Sequence, residues 1–145
     1  IQHVLDLLAQ PLDRIHDIDV ALPAGAPISI DRIDFVVGEG SDFDQQHGYY
    51  AQGVSLTTPT YAPTGWVQRT VAIRVGKVTA NCMELHDLAL AKYGAGREKD
   101  LAFSRALAGT GALSRDVLIE RLAAVQTIAS HRDLIEARIE ADFAI

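Results

Sequence analysis

The chain has 145 residues, with 13 basic and 19 acidic side chains and a formal charge of −6 at pH 7. Its hydrophobic fraction of 48% and charged fraction of 22% are ordinary for a globular protein, and its length suits one domain that buries about two thirds of its unfolded surface. The negative charge argues against a protein that coats nucleic acid through a broad basic surface.

The sequence also bears on where the protein resides. No apolar run approaches the length that crosses a bilayer, and the first residues lack a basic leader followed by an apolar stretch. We therefore expect a cytoplasmic protein without a membrane partner. Because the chain begins at Ile1 rather than at methionine, we also expect that residues upstream of it have been lost or removed.

The first part of the chain predicts a helix, a strand and a second helix. Apolar spacing over residues 4–8 indicates a short helix that Pro11 closes, and alternation over residues 15–22 indicates a strand. Residues 24–27 form a turn. Residues 29–37 favour a helix, although their last three side chains suit a strand equally well.

The middle of the chain predicts a loop followed by a hairpin. Residues 38–65 are rich in Gly, Ser, Thr, Pro and aromatic side chains, which is typical of a long loop or a β-excursion. Alternation over residues 67–75 predicts a strand. The turn-forming pair Gly76-Lys77 then allows residues 78–83 to return beside that strand.

The pattern is helical from Glu84 to the end. Glycines within residues 94–96 end one helix, and residues 97–100 open the next. Ser114 predicts the start of a third helix, and Ser130, with an aspartate three residues on, resembles the capping box of a fourth. We therefore expect a single α+β domain with a small mixed β-sheet and a helical C-terminal half.

Two acidic residues, Asp17 and Asp19, flank Ile18 on the predicted strand. Strand geometry places both carboxylates on one face, about 7 Å apart at the backbone and free to converge. Oxygen ligands of this kind suit Mg²⁺, which would relieve their repulsion and bridge them to nucleotide phosphates. A plain polar strand face is the simpler interpretation of such a triplet, and both interpretations stay open.

Three cationic side chains, Lys92, Arg97 and Lys99, lie at the corner between two predicted helices. Lys92 shares the apolar face of the first helix, so it must either extend to solvent or meet an anion. One interpretation is a set of ion pairs with neighbouring carboxylates, namely Asp87, Glu98 or Asp100. The other is a phosphate clamp to which the start of the second helix adds free N–H groups.

Three stretches of this sequence resemble one bacterial family. The string H-D-L-A-L-A-K-Y-G-A-G-R-E-K-D, at residues 86–100, resembles the motif H-D-L-A-x-x-K-x-x-A-G-R-x-K-D of nucleotidyltransferase-like proteins of unknown function, which are related to abortive-infection toxin-type nucleotidyltransferases. The string G-E-G-S-D-F-D-Q-Q-H-G-Y-Y-A-Q-G-V, at residues 38–54, is similar to a second block of that family. Residues 63–69 match its P-x-G-W-x-x-R element, so the resemblance covers residues 17–122.

The resemblance implies a fold, an activity and a set of site residues. It implies a small sheet of nucleotidyltransferase type in a protein that binds a nucleoside triphosphate with Mg²⁺. Asp17 and Asp19 would be the catalytic metal ligands, and Lys92, Arg97 and Lys99 would hold the phosphates in a cleft shared with them. The nucleotidyl group would pass to RNA, a protein or a small molecule, with RNA expected only as the acceptor.

The chain departs from the family pattern at two places. The family's Gly-Ser element would fall at or just before Ile1, and no acidic residue between Trp66 and Ala80 offers a third metal ligand. These departures keep a second interpretation open. The chain would then be a catalytically degenerate binding or regulatory protein of a toxin–antitoxin type system, pairing with itself or with a protein partner.

Overall fold

The computed structural model describes residues 17–22 and 24–144, and its contacts divide the chain into two compact units between Thr58 and Pro59. The predicted helix at residues 4–8 and the start of the predicted strand lie outside the described residues. Within them, the fold is mixed α and β, with small sheets and a helical C-terminal half, as predicted. The assignment to a single domain stays a prediction.

The first unit contains a parallel pair of strands. Strand β1 (Asp17–Ala21) lies beside strand β2 (Tyr50–Val54), with Asp17 opposite Tyr50 and Asp19 opposite Gln52. Paired residues of neighbouring strands project to the same face of a sheet. The two aspartates therefore share one face with Tyr50 and Gln52.

Two helices connect these strands. Helix α1 (Ile30–Val37) begins at Ser29, whose hydroxyl accepts a hydrogen bond from the Arg32 amide, and helix α2 (Asp42–His47) follows it. Helix α1 packs on β2, where Gly53 permits the close approach because a Cβ there would lie 2.2 Å from Ile30 Cγ2.

A side-chain hydrogen bond secures the contact between α1 and β2. The Gly53 amide donates to Asp34 Oδ1 over 2.7 Å. Since β2 pairs with β1 along one edge, this bond satisfies a backbone donor that the strand pairing leaves unused.

The second unit contains a 3₁₀ turn, a hairpin and four helices. The 3₁₀ turn at Trp66–Arg69 leads into strand β3 (Val71–Val75), which pairs antiparallel with strand β4 (Val78–Cys82) across the turn at Gly76-Lys77. Four helices complete this unit: α3 (Leu85–Ala95), α4 (Glu98–Gly109), α5 (Arg115–Leu122) and α6 (Ala129–Phe143).

Helix α3 is the centre of the helical body and packs against α4, α5 and α6. Its side chains Leu90 and Tyr93 are fully buried. The other helices contribute further buried side chains to this core, namely Leu107, Leu118, Leu122, Ile135 and Ile139. No helix among the described residues is both long enough and apolar enough to cross a membrane.

Several predicted elements are confirmed. The strand is present over residues 17–21, and the helix after Ser29 spans residues 30–37. The hairpin turns at Gly76-Lys77, and Gly96 ends α3 in the left-handed region with φ of +67°. These elements depend on signals contained within a few neighbouring residues.

Other predictions are wrong. The stretch over residues 38–65, predicted as a loop or a β-excursion, does contain strand β2, but the prediction missed helix α2, which Ser41 caps. The predicted strand over residues 67–75 is present only from Val71, and residues 67–69 belong instead to a 3₁₀ turn that follows Gly65, whose φ is +88°. Within the described residues, the sheet is two separate two-stranded sheets rather than one mixed sheet.

The capping box predicted at Ser130 is also wrong. Helix α6 begins at Ala129, so Ser130 lies inside its first turn. The amides of His131 and Arg132 bond to the carbonyl of Ile128, which is the residue that precedes the helix. The His131 and Arg132 side chains bond to carbonyls elsewhere in the unit, and these contacts help to fix this helix start.

Substituting Gly94 provides a test of the packing around α3. A Cβ at Gly94 would lie 2.3 Å from Tyr61 Cβ, so Gly94→Ala should destabilise the protein by about 1–3 kcal/mol despite the better helix propensity of alanine. Gly109→Ala is the matched control, since nothing lies within 4 Å of its Cβ, and it should be neutral or slightly stabilising. Urea unfolding measures both, and equal stabilities would contradict the packing described.

Candidate functional site

The carboxylates of Asp17 and Asp19 lie on the face of β1 that also carries the partner positions of Tyr50 and Gln52. Asp19 is exposed and Asp17 is half-buried. Among the described side chains, neither has an ion-pair partner. The strand thus presents two uncompensated negative charges on one surface.

The surroundings of Tyr50 show how acidic this surface is. Partial burial raises the pKa of the Tyr50 hydroxyl, and the nearby carboxylates raise it further, in the order Glu39, Asp17, Asp44 and Asp19. A cavity of about 220 Å³ opens beside it, lined by Asp34, Gly38, Glu39, Tyr50 and Gln52. Negative charge concentrated in this way favours a bound cation.

The donor set decides which metal site is chemically reasonable. No three His, Cys, Asp or Glu side chains gather to hold a metal within residues 17–22 and 24–144. Mg²⁺, however, is often held by one or two carboxylates, with water and substrate phosphates as its other ligands. Two carboxylates such as Asp17 and Asp19 are therefore a partial donor set of the kind that Mg²⁺ accepts when other ligands complete its shell.

Two of the three predicted phosphate-binding side chains bind a carboxylate of their own unit. Lys92 Nζ lies 3.1 Å from Asp100 Oδ1, and Arg97 Nε lies 2.6 Å from Asp100 Oδ2. The Asp100 side chain is 1% exposed. Lys99 is exposed and has no ion-pair partner among the described residues.

These contacts hold Asp100 in its ionised form. Burial alone would raise the pKa of Asp100, but the hydrogen bonds from Arg97 and Lys92 outweigh it and keep the pKa below the ordinary value of 3.8. The ion-pair interpretation is thus confirmed for Arg97, and Lys92 meets the anion that its position required. The phosphate clamp stays a prediction, as does its convergence with Asp17 and Asp19 in one cleft.

Sequence reasoning missed a second buried carboxylate site, at Asp87. The Asp87 side chain is fully buried and receives two hydrogen bonds from Arg69, at 2.8 Å from Nε and 3.0 Å from Nη2. Arg121, on α5, donates a third over 3.1 Å. Arg69 is the arginine of the P-x-G-W-x-x-R element, so this element and the helical motif meet at one ion pair.

Glu84 and His86 extend this cluster to the start of α5. Glu84 accepts from the His86 amide over 3.1 Å, lies 2.7 Å from His86 Nδ1, and also contacts Arg121. His86 Nε2 accepts from the Ser114 amide over 2.9 Å. Because Nε2 accepts, the ring proton is on Nδ1, which donates to Glu84.

The charge of Glu84 is stabilised in the same manner. Burial would raise its pKa, but hydrogen bonds from His86 and Arg121 lower it below the ordinary value of 4.5. Its carboxylate also caps α3, where the free N–H groups of the helix start favour negative charge.

Asp87 and Asp100 occupy equivalent positions in consecutive helices. Each is the third residue of its helix, α3 and α4 respectively, and each is neutralised by two cationic side chains. The motif at residues 86–100 therefore specifies two buried ion-pair sites. The sequence does show an aspartate in the first turn of each helix, which the helix dipole stabilises, but Asp31 and Asp116 share this position and are exposed, so the signal does not identify burial.

The comparisons with known proteins add no family assignment. No protein-family model, curated protein or solved structure matches the chain.

Removing the Asp87 carboxylate should destabilise the helical unit. Asp87→Ala leaves Arg69 and Arg121 without their shared anion, and we expect a loss of about 2–3 kcal/mol, since both arginines are partly exposed. Asp116→Ala is the control, because that carboxylate is 91% exposed, and it should cost less than about 1 kcal/mol. Chemical denaturation measures both values, and a similar loss in the two variants would contradict the role of burial.

Stability should also fall at acidic pH. The folded-state pKa values of Glu84 and Asp100 lie below their ordinary values of 4.5 and 3.8, so the unfolded chain binds protons more readily. Their contribution is complete above about pH 5 and is lost as the pH falls through the folded-state pKa values. Asp100→Asn should weaken this acid dependence, whereas the exposed-site variant Asp116→Asn should retain it. Urea unfolding across a pH series measures the slopes, and parallel curves for wild type and Asp100→Asn would contradict the assignment.

Proposed function

We propose that the chain is a nucleotidyltransferase-like protein that binds a nucleoside triphosphate with Mg²⁺ and transfers its nucleotidyl group to an acceptor. The observation that carries the proposal is the pair Asp17 and Asp19 on one face of β1, without an ion-pair partner among the described residues. Structural carboxylates of this chain, such as Asp87 and Asp100, are paired. Two unpaired carboxylates on one strand face are available as ligands of a cation.

The roles of the residues follow from their chemistry. Asp17 and Asp19 would hold the metal, and Mg²⁺ there would supply neutralisation of phosphate charge during the release of pyrophosphate. Lys92, Arg97 and Lys99 bind the phosphates through charge-assisted hydrogen bonds. The acceptor attacks the α-phosphorus, and the protein contributes chiefly position and charge stabilisation, as is usual for phosphoryl-type transfers.

The sequence resemblance supports the same proposal. The blocks at residues 38–54 and 86–100 occur in the order found in the nucleotidyltransferase-like family. The parallel pair of β1 and β2 is compatible with a small sheet of nucleotidyltransferase type, which we propose as the fold around the site. The acceptor class, a homo-oligomer or protein partner, and the cytoplasmic location stay predictions.

One observation favours a second candidate function. Lys92 and Arg97 already neutralise Asp100, and Glu84, His86 and Asp87 also have partners within their own unit. The motif can therefore be explained by folding alone. In that case the chain is a catalytically degenerate binding or regulatory protein, of the kind found in toxin–antitoxin systems.

Nucleotide titration separates the two candidates. The melting temperature is followed with ATP, GTP, CTP and UTP, each with and without Mg²⁺. A nucleotide at about 100 times its dissociation constant should stabilise the protein by about 2.7 kcal/mol. The double variant Asp17→Asn/Asp19→Asn should lose the Mg²⁺-dependent part of this shift.

The control removes two other acidic charges from the same unit. Asp31→Asn/Asp42→Asn changes two exposed carboxylates in the first turns of α1 and α2 and should retain the Mg²⁺-dependent shift. The absence of a shift with all four nucleotides would support the degenerate protein instead. Lys92→Ala should abolish the shift while the free protein stays folded, and its unfolding would assign Lys92 to the fold alone.

A further inference from the structure

Asp100 receives more hydrogen bonds from cationic side chains than charge neutralisation requires. One cation would balance the carboxylate, but three hydrogen bonds from two side chains reach it: Lys92 Nζ at 3.1 Å, Arg97 Nε at 2.6 Å and Arg97 Nη2 at 3.3 Å. Asp100 is 1% exposed, whereas the Lys92 and Arg97 side chains are 32% and 62% exposed. Both cations are therefore fixed at a buried anion while part of each reaches solvent.

Fixing these side chains matters for anion binding. Lys and Arg have more rotamer freedom than most side chains. A ligand that must immobilise them therefore binds more weakly, because their conformational entropy is lost on binding. Here Asp100 orders both of them before any ligand arrives. Lys92 is fixed further by the Phe103 ring, whose centroid lies 5.8 Å from Nζ.

The local charge stays favourable for an anion. Lys92, Arg97 and Lys99 carry three positive charges, and the carboxylates of Asp100 and Glu98 carry two negative ones. The corner is therefore net positive on a chain with a charge of −6. The start of α4 at Glu98 adds the partial positive charge of a 12-residue helix.

We infer that Asp100 is a positioning residue for polyphosphate binding, which orients the partly exposed side chains of Lys92 and Arg97 toward the phosphates of a nucleotide. This inference rests on the proposed function, because it assigns a role within the same phosphate site. Asp100 itself, being buried, does not contact the nucleotide.

The direction in which Asp100→Asn changes phosphate affinity distinguishes a positioning role for Asp100 from simple competition with phosphate. If Asp100 only competes with phosphate for the two cations, Asp100→Asn removes a negative charge and should tighten phosphate binding. If Asp100 positions them, the same substitution frees both side chains, and binding should weaken at least tenfold. Isothermal titration with pyrophosphate, and with ATP plus Mg²⁺, measures this change.

A matched control variant separates a specific effect of Asp100→Asn on binding from a general loss of protein stability. Asp87→Asn alters the carboxylate at the equivalent position of α3, which is also buried and bound by two cations, but it does not touch Lys92 or Arg97. It should bind pyrophosphate as the wild type does. Equal weakening in the two variants would show that general destabilisation is responsible and would overturn the inference.

A measurement on the wild-type protein keeps the inference testable if Asp100→Asn does not fold. The Nε–H resonance of Arg97, assigned by comparison with Arg97→Lys, reports the 2.6 Å hydrogen bond to Asp100. A positioning role requires this resonance to persist when pyrophosphate is bound. Its loss on titration would show that phosphate displaces Asp100, and the inference would be wrong.

The outcomes also separate the inference from the proposed function. Binding by the wild type together with equal or tighter binding by Asp100→Asn overturns the positioning role and leaves the nucleotidyltransferase proposal standing. Failure of the wild type to bind pyrophosphate or any nucleotide with Mg²⁺ overturns both. Weaker binding by Asp100→Asn, with unchanged binding by Asp87→Asn, supports both the positioning role and the proposed function.

Discussion

The helical unit depends on neutralising two buried carboxylates, Asp87 and Asp100. Removing a carboxylate from water costs several kcal/mol unless cations and hydrogen bonds replace the solvent. Arg69 and Arg121 supply them to Asp87, and Lys92 and Arg97 supply them to Asp100. The pairs of Asp87 with Arg69 and Arg121, and of Asp100 with Lys92, join the first turn of a helix to another element, whereas the Arg97–Asp100 pair lies at the start of α4 itself.

This arrangement changes how the motif at residues 86–100 is interpreted. Its charged side chains resemble a ligand site in the sequence, yet most of them have partners inside the folded unit. Its glycines also have structural roles, since Gly94 contacts Tyr61 and Gly96 ends α3 beside Arg138. Folding and phosphate binding are not exclusive, however, because a cation held at a buried anion is already oriented for a second anion.

The first unit differs in this respect, since Asp17 and Asp19 have no ion-pair partner among the described residues. Asp17 and Asp19 lie on one face of a strand, near the carboxylates of Glu39 and Asp44. Burial is the largest cause of the raised pKa of Tyr50, and these four carboxylates raise it further. These charges repel one another, and no ion pair among the described residues compensates that repulsion. A cation that binds with a polyphosphate would relieve it, which is why the proposed activity is centred on this pair.

The sequence by itself determined the elements whose signals are local: the strand that carries Asp17 and Asp19, the helix after Ser29, the hairpin, and the helix end at Gly96. Alternation, serine caps and glycine turns act over a few residues, so they can be recognised without the fold. Only the tertiary structure decided what the charges do. Arg69 is 18 residues from Asp87 and Arg121 is 34 residues from it, and no local pattern specifies such pairs. Packing of distant segments selects the partner of each buried charge, because the cost of burial depends on all the groups that surround it.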